Sequence, residues 1–191
     1  GGLGEIHGAM YEAFRAVCGR LGVAAIDALQ GTLYIEARTP ARVRGTDLIA
    51  SYGAAAVGRV APLVDHPQWF VRRNTAELLA MIATADCVPL LQGMLRGSDP
   101  RVLREAVIAL ASINDPAAAR AIHTVLRATT GAARQALVDA LVDRVVVALK
   151  FNGVFFADFF QGLPPLRLNL VTADEQGLVA LMEQPSGLAR W

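Results

Sequence analysis

An all-α chain, built as a solenoid of stacked helical hairpins, is the fold class this sequence predicts, and three observations carry the prediction. Segments echo one another at an interval of 31 residues, from Ile26 to Val57 to Val88 to Ala119. Within each segment the apolar residues fall at i, i+3, i+6 and i+7, which is one face of a helix. Short breaks rich in Gly, Asn, Asp or Pro then separate the paired helices.

In chain order, the first short helix is expected in AAIDALQGTL, where Ile26, Leu29, Thr32 and Leu33 occupy the repeating face. Its equivalents are Val57, Val60, Leu63 and Val64, then Val88, Leu91, Met94 and Leu95, then Ala119, Ile122, Val125 and Leu126. The longer partner helix carries Val71, Thr75, Leu78, Leu79 and Ile82, which map onto Val102, Ala106, Ala109, Leu110 and Ile113. A further copy lies at Ala133, Leu137, Ala140 and Leu141. The breaks fall at LG (21–22), YG (52–53), TAD (84–86) and NDP (114–116). Asp and Asn there suit the cap of the next helix, and Pro116 suits its first turn.

Each unit therefore reads as a longer helix, a tight turn and a shorter helix, with units near 6–33, 40–64, 69–95, 100–126 and 131–150. One such hairpin has no core of its own and buries its apolar face only against its neighbours, so the units must stack. The pattern fails in the fifth unit, where Lys150 and Gly153 stand at positions that should be apolar. Residues 1–150 form the repeat array in this reading, and 151–191 a divergent C-terminal segment with a further short helix over 172–184. That segment holds Phe151, Phe155, Phe156, Phe159 and Phe160, five of the 7 phenylalanines.

The run DHPQWFVRRNTAELLAMIATADCVPLLQGML followed by GSDPRVLREAVIALASINDPAAARAIHTVL resembles bacterial HEAT repeats, the class also called PBS-lyase HEAT-like. The resemblance covers about residues 6–149 and is strongest over 65–127. It implies a right-handed all-helical solenoid. It implies no reaction, since function resides in sites and not in folds.

Composition narrows the function classes. With 18 Lys+Arg against 17 Asp+Glu the formal charge is +1, so no global field draws the chain to nucleic acid or anionic lipid. Lys150 is the single lysine, and this arginine bias fits a GC-rich bacterial genome. The mean hydropathy of +0.40 raises the question of a membrane span. Its best candidate, residues 145–160, contains Lys150, Asn152 and Asp158 and is too short to cross. The opening GGLGEIHGAMYEAF lacks the basic start and apolar run of a signal peptide, so a cytoplasmic chain is expected. The apolar ending LVALMEQPSGLARW does not resemble a polar solenoid cap, which suggests a fragment or a subunit covered by another chain.

Few residues suggest chemistry. Cys18 and Cys87 stand apart from other ligands and read as buried reduced thiols. His7, His66 and His123 complete no metal set, and no nucleophile motif, phosphate loop or dinucleotide fingerprint occurs, so no metal, cofactor or catalytic residue is expected. Asp139 and Asp143 share a helix face, which most often means a solvated surface.

Partner binding has more candidates. The repeat interval aligns Arg42, Arg73 and Arg104 in a row. Such a row can grip phosphate or carboxylate groups of a partner, or it can bridge neighbouring loops through carboxylates and helix-end carbonyls, the commoner use. Trp69 and Phe70 can anchor a partner or cover the seam to the preceding unit. Phe155, Phe156, Phe159 and Phe160 can cap the array or dock a partner.

The expected function is a non-catalytic protein-interaction scaffold or assembly subunit, whose partner is another protein or a larger complex. A nucleic-acid-binding protein using the arginine row is the first alternative, supported by the local run of Arg38, Arg42, Arg44, Arg59, Arg72 and Arg73. The second is an accessory similar to the chromophore lyases of the same repeat class.

Overall fold

The computed structural model describes residues 8–151, with side-chain surroundings through residue 142. Among the described residues the chain is entirely helical, without a strand. It divides into two compact units, Gly1–Asn114 and Asp115–Trp191.

The first unit is a stack of hairpins. Helix α1 (Ala9–Leu21) is followed by α2 (Ala24–Leu29), which tightens into a 3-10 turn over Gln30–Tyr34. Next come α3 (Pro40–Ala50) and α4 (Ala54–Val60), the latter continued by a 3-10 turn over Ala61–Asp65. The third pair is α5 (Trp69–Ile82) and, after a 3-10 turn at Ala85–Cys87, α6 (Val88–Met94). Helix α7 (Pro100–Ala111) completes the unit. The breaks therefore lie where the turn residues predict them, and the long-then-short alternation holds for these three pairs.

Local chemistry explains the boundaries. Gly22 and Gly53 take φ values of 57° and 56°, a region that residues with a Cβ avoid, and each lets the chain reverse within a few residues. Helix α5 ends instead on Ala83, the one non-glycine with positive φ among the described residues. The starts of α3 and α7 are set by side-chain acceptors followed by proline. Thr39 accepts from the Arg42 N–H with Pro40 in the first turn, and Asp99 accepts from the Arg101 N–H with Pro100 behind it.

The helices α3, α5 and α7 pack side by side with α5 between its two neighbours, and the shorter helices with their 3-10 turns form a second layer beneath them. The repeating apolar face points into this layer. Ile26, Leu33, Ile49, Val60, Val71, Leu78, Leu79, Leu91, Val107, Leu110 and Ile113 are fully or almost fully buried. Burying each such side chain contributes roughly 1.5–3 kcal/mol. Cys18 and Cys87 are likewise buried and free, and burial raises the pKa of the Cys18 thiol.

Polar ties join successive pairs. The Tyr52 hydroxyl, in the α3–α4 turn, donates to the Cys18 carbonyl of α1 at 2.7 Å. In the second layer Arg59 pairs with Asp27 at 2.9 Å while its own carbonyl accepts from Gln30 at 3.0 Å. These last two are exposed and add at most about 1 kcal/mol.

The second unit contains α8 (Pro116–Ala128), capped by Asp115 with Pro116 in its first turn, and α9 (Gly131–Phe151), which touches α8. Two expectations change here. Helix α8 has 13 residues and is no shorter than α7 with 12. Helix α9 continues unbroken for 21 residues across the stretch assigned to the fifth unit, 131–150. Leu137 and Ala140 are buried as expected, whereas Ala133 is exposed in the first turn. Phe155, Phe156, Phe159, Phe160 and the helix expected over 172–184 lie outside the described residues, as does His7. Among the described residues no helix is long and apolar enough to cross a membrane.

One contact is tight enough to test. A Cβ on Gly45, inside α3, would stand 2.2 Å from the Thr32 hydroxyl oxygen of the preceding 3-10 turn. Gly→Ala in an open helix gains about 1 kcal/mol. Gly45→Ala is expected instead to lower stability by about 1–3 kcal/mol, as overpacking does. Thr32→Ala should not restore it, because the Thr32 Cβ itself would be 2.6 Å away. Urea denaturation of the parent, Gly45→Ala and the Gly45→Ala, Thr32→Ala double variant measures this, and a stabilised Gly45→Ala would mean that α3 and the turn separate easily.

Candidate interaction site

One group of polar residues of the first unit gathers towards the N-terminal ends of α3, α5 and α7, and the arrangement is built around Asn74. Asn74 sits one residue before Thr75 on the buried side of α5, and its amide donates to the Leu33 carbonyl at 2.8 Å and the Ile35 carbonyl at 2.9 Å. Its side-chain oxygen accepts from the Arg42 guanidinium of α3 and from Arg73 Nη2 at 2.8 Å. One amide thereby satisfies two orphan carbonyls of the 30–35 segment and two guanidinium groups.

Arg42 and Arg73, equivalent by the repeat interval, differ in environment. Arg42 is 5 % exposed, and its second guanidinium nitrogen reaches the Glu77 carboxylate at 3.5 Å. Burial pulls its pKa down while Glu77 pulls it up, and a guanidinium stays charged regardless. Arg73 is half-buried and also donates to the Glu36 carbonyl at 2.7 Å. Both side chains join segments of the fold, through a carboxylate in one case and loop oxygens in the other. Arg104 is exposed on α7 and takes no part in that network.

Trp69 opens α5 half-buried. Its ring meets Phe70 edge-on at 6.0 Å, Arg73 at 5.1 Å and, from the next hairpin, the Arg101 guanidinium at 3.4 Å. These contacts place it against the following α7, where the sequence suggested the preceding unit. Arg101 is steadied from behind, since it donates to both oxygens of Asp99, at 3.1 and 2.9 Å. That donation holds the Asp99 carboxyl at about 2, against an ordinary 3.8.

The remaining candidates do not join this group. His66 is a loop residue that accepts from the Gln68 N–H and packs edge-on against Tyr34 at 5.1 Å. His123 is half-buried on α8. Asp139 accepts from Gln135 one turn away at 2.8 Å, and the Asp143 side chain lies outside the described residues. Among the described residues no cluster of His, Cys, Asp or Glu could hold a metal ion.

Sequence reasoning passed over Asn74, Glu77 and Arg101. Asn74 had a signal, being a polar residue beside the apolar face of α5 where ordinary surface spacing would place none. Arg101 had one also, in the Asp-Pro-Arg capping run.

Two predictions follow from these bonds. Asn74→Leu keeps the volume but strands two carbonyls and the buried Arg42, and should cost about 3–5 kcal/mol by chemical denaturation. Asn74→Asp, which accepts from both arginines but cannot donate, should fall between it and the parent. For Asp99, a folded pKa below the unfolded value means stability that is complete above about 3.8 and lost as pH falls towards 2. Asp99→Asn preserves the cap acceptor and should flatten the melting-temperature profile between those pH values. An unchanged acid limb would place the loss in other carboxylates.

No curated protein and no solved structure matches the chain. Residues 58–142, which include the site on α5 and α7, match the model of the HEAT repeats family.

Proposed function

We propose that this chain is a non-catalytic protein-interaction scaffold or a subunit of a larger assembly. The support is the match to HEAT repeats, which commonly serve as such scaffolds, together with the row of Trp69, Arg73, Arg101 and Arg104 displayed on adjacent helices. The finer reading is a bacterial, cytoplasmic protein of the PBS-lyase HEAT-like subtype, its hairpins wound right-handed with a 31-residue repeat. The Phe-rich stretch with Phe155, Phe156, Phe159 and Phe160 is a second docking candidate in this reading.

The rival reading is nucleic-acid binding, which needs several uncompensated cations on one face. The six arginines between Arg38 and Arg73 are dispersed: Arg42 is buried against Glu77, Arg44 lies over Tyr11 of α1, and Arg59 pairs with Asp27 in the other layer. That dispersal favours the protein-binding reading. A chromophore-lyase-like accessory role rests on the repeat class alone.

An affinity pull-down of the tagged chain from its native lysate, with and without nuclease, tests the proposal. A stoichiometric protein partner that survives nuclease is the expected result. Recovery of nucleic acid alone would move the function to the arginine row, and recovery of nothing would remove the scaffold role.

A further inference from the structure

We infer that the chain forms a homodimer through α1, with the α1 helix of a second copy lying antiparallel across Ala16. The inference goes beyond the scaffold reading and does not depend on what else the chain binds.

Helix α1 forms one edge of the first unit, with α3 against it through the contact of Tyr11 with Arg44. Helix α7, after which the chain enters the second unit, forms the other edge. Among the described residues, most of the exposed large apolar side chains belong to the α1 edge. Met10 is 66 % exposed, Val17 52 % and Leu21 58 %, and Val23 follows them at the start of α2.

The repeat interval shows what this edge lacks. Val17 corresponds to Leu48, Leu79 and Leu110, all of them buried. Ala13 and Ala16 are exposed, whereas their counterparts Thr75 and Leu78 on α5, and Ala106 and Ala109 on α7, are fully buried. In α3 the counterpart of Ala13 is Arg44, which turns back onto the helix before it. Ala13 therefore turns away from α3, on the side where α5 and α7 are covered and α1 is bare.

Charge and side-chain size name the occupant. Glu12, Ala16 and Arg20 follow one another at i, i+4 and i+8 in one row along the helix, and Ala13 and Gly19 stand three residues to either side of Ala16. All five are exposed. The row carries an acid in the first turn, a base in the last and only small side chains near its centre, so a second helix can pack row on row at close range. A twofold axis at Ala16 sets Glu12 of each copy against Arg20 of the other. A parallel pair would set like charges together. Glu12 also meets Arg15 of its own helix at 3.8 Å, but both side chains are exposed and such a pair is weak. Met10, Val17 and Leu21 lie to one side of the row, and the twofold axis carries both sets to the same side of the helix pair, where they converge. A foreign helix would need no such self-complementarity.

With 13 residues α1 is about 20 Å long, which places the pair among small interfaces and a dissociation constant on the order of 10–100 μM. Sedimentation velocity of the full chain from about 1 to 500 μM should therefore show a reversible monomer–dimer equilibrium. Arg20→Glu should weaken it about tenfold without loss of helix content, because it sets acid against acid at two places in the dimer. The double variant Glu12→Arg, Arg20→Glu should restore it to within about threefold. Ala16→Cys should form a disulfide-linked dimer under mild oxidation, since equivalent Cα atoms approach each other at a twofold axis. The parent should form none, its two cysteines being buried, and Met81→Cys should link more slowly. A chain that stays monomeric throughout, a dimer indifferent to Arg20→Glu or not restored by the double variant, or equal linking at positions 16 and 81 would each overturn the inference.

Discussion

Much of the first unit depends on the hydrogen bonds of one buried amide. Asn74 has two donors and two acceptor positions, and all are used: the donors on Leu33 and Ile35 carbonyls, the acceptor on Arg42 and Arg73. The 30–35 segment leaves a 3-10 turn and enters an extended stretch, so its carbonyls have no helical partner. Without Asn74 they would be buried unpaired, at a cost comparable to losing a core side chain. The same amide lets Arg42 be almost fully buried, because a guanidinium with only Glu77 at 3.5 Å would leave several donors unmet. Among the described residues no buried side-chain nitrogen or oxygen lacks a partner.

This organisation separates the two ends of a repeat physically. Along the middle of α5, Val71, Leu78 and Leu79 bind neighbouring helices without direction, so stacking there is governed by volume. At the N-terminal ends, directional bonds set the register: Arg42 to Asn74 between α3 and α5, and Arg101 to Trp69 between α5 and α7. A stack held by apolar contacts alone can slide. One held at its edge by guanidinium bonds cannot.

The equivalence of Arg42, Arg73 and Arg104 takes three forms. The first is buried and paired, the second half-buried and held by neutral oxygens, the third exposed. Repeat position sets where each side chain starts, but what lies above it sets its use. Arg42 has α5 with Glu77 and Asn74 against it, whereas Arg104 is exposed within the first unit. Identical residues at equivalent positions therefore serve packing in one hairpin and stand exposed in another.

The sequence alone determined the helical class, the positions of the breaks at 21–22, 52–53, 84–86 and 114–116, and most of the buried face, because periodicity, glycine φ and capping are local properties. Those features are encoded within a few residues of where they act. Tertiary structure decided the roles of Asn74, Glu77 and Arg101 and the contact of Trp69 with the following helix. Each depends on groups 30 or more residues away or on what a helix end meets in space. A hydrogen bond such as Asn74 to Leu33 has no periodic signature, since its donor and acceptor are brought together only when α5 docks on the turn before α3.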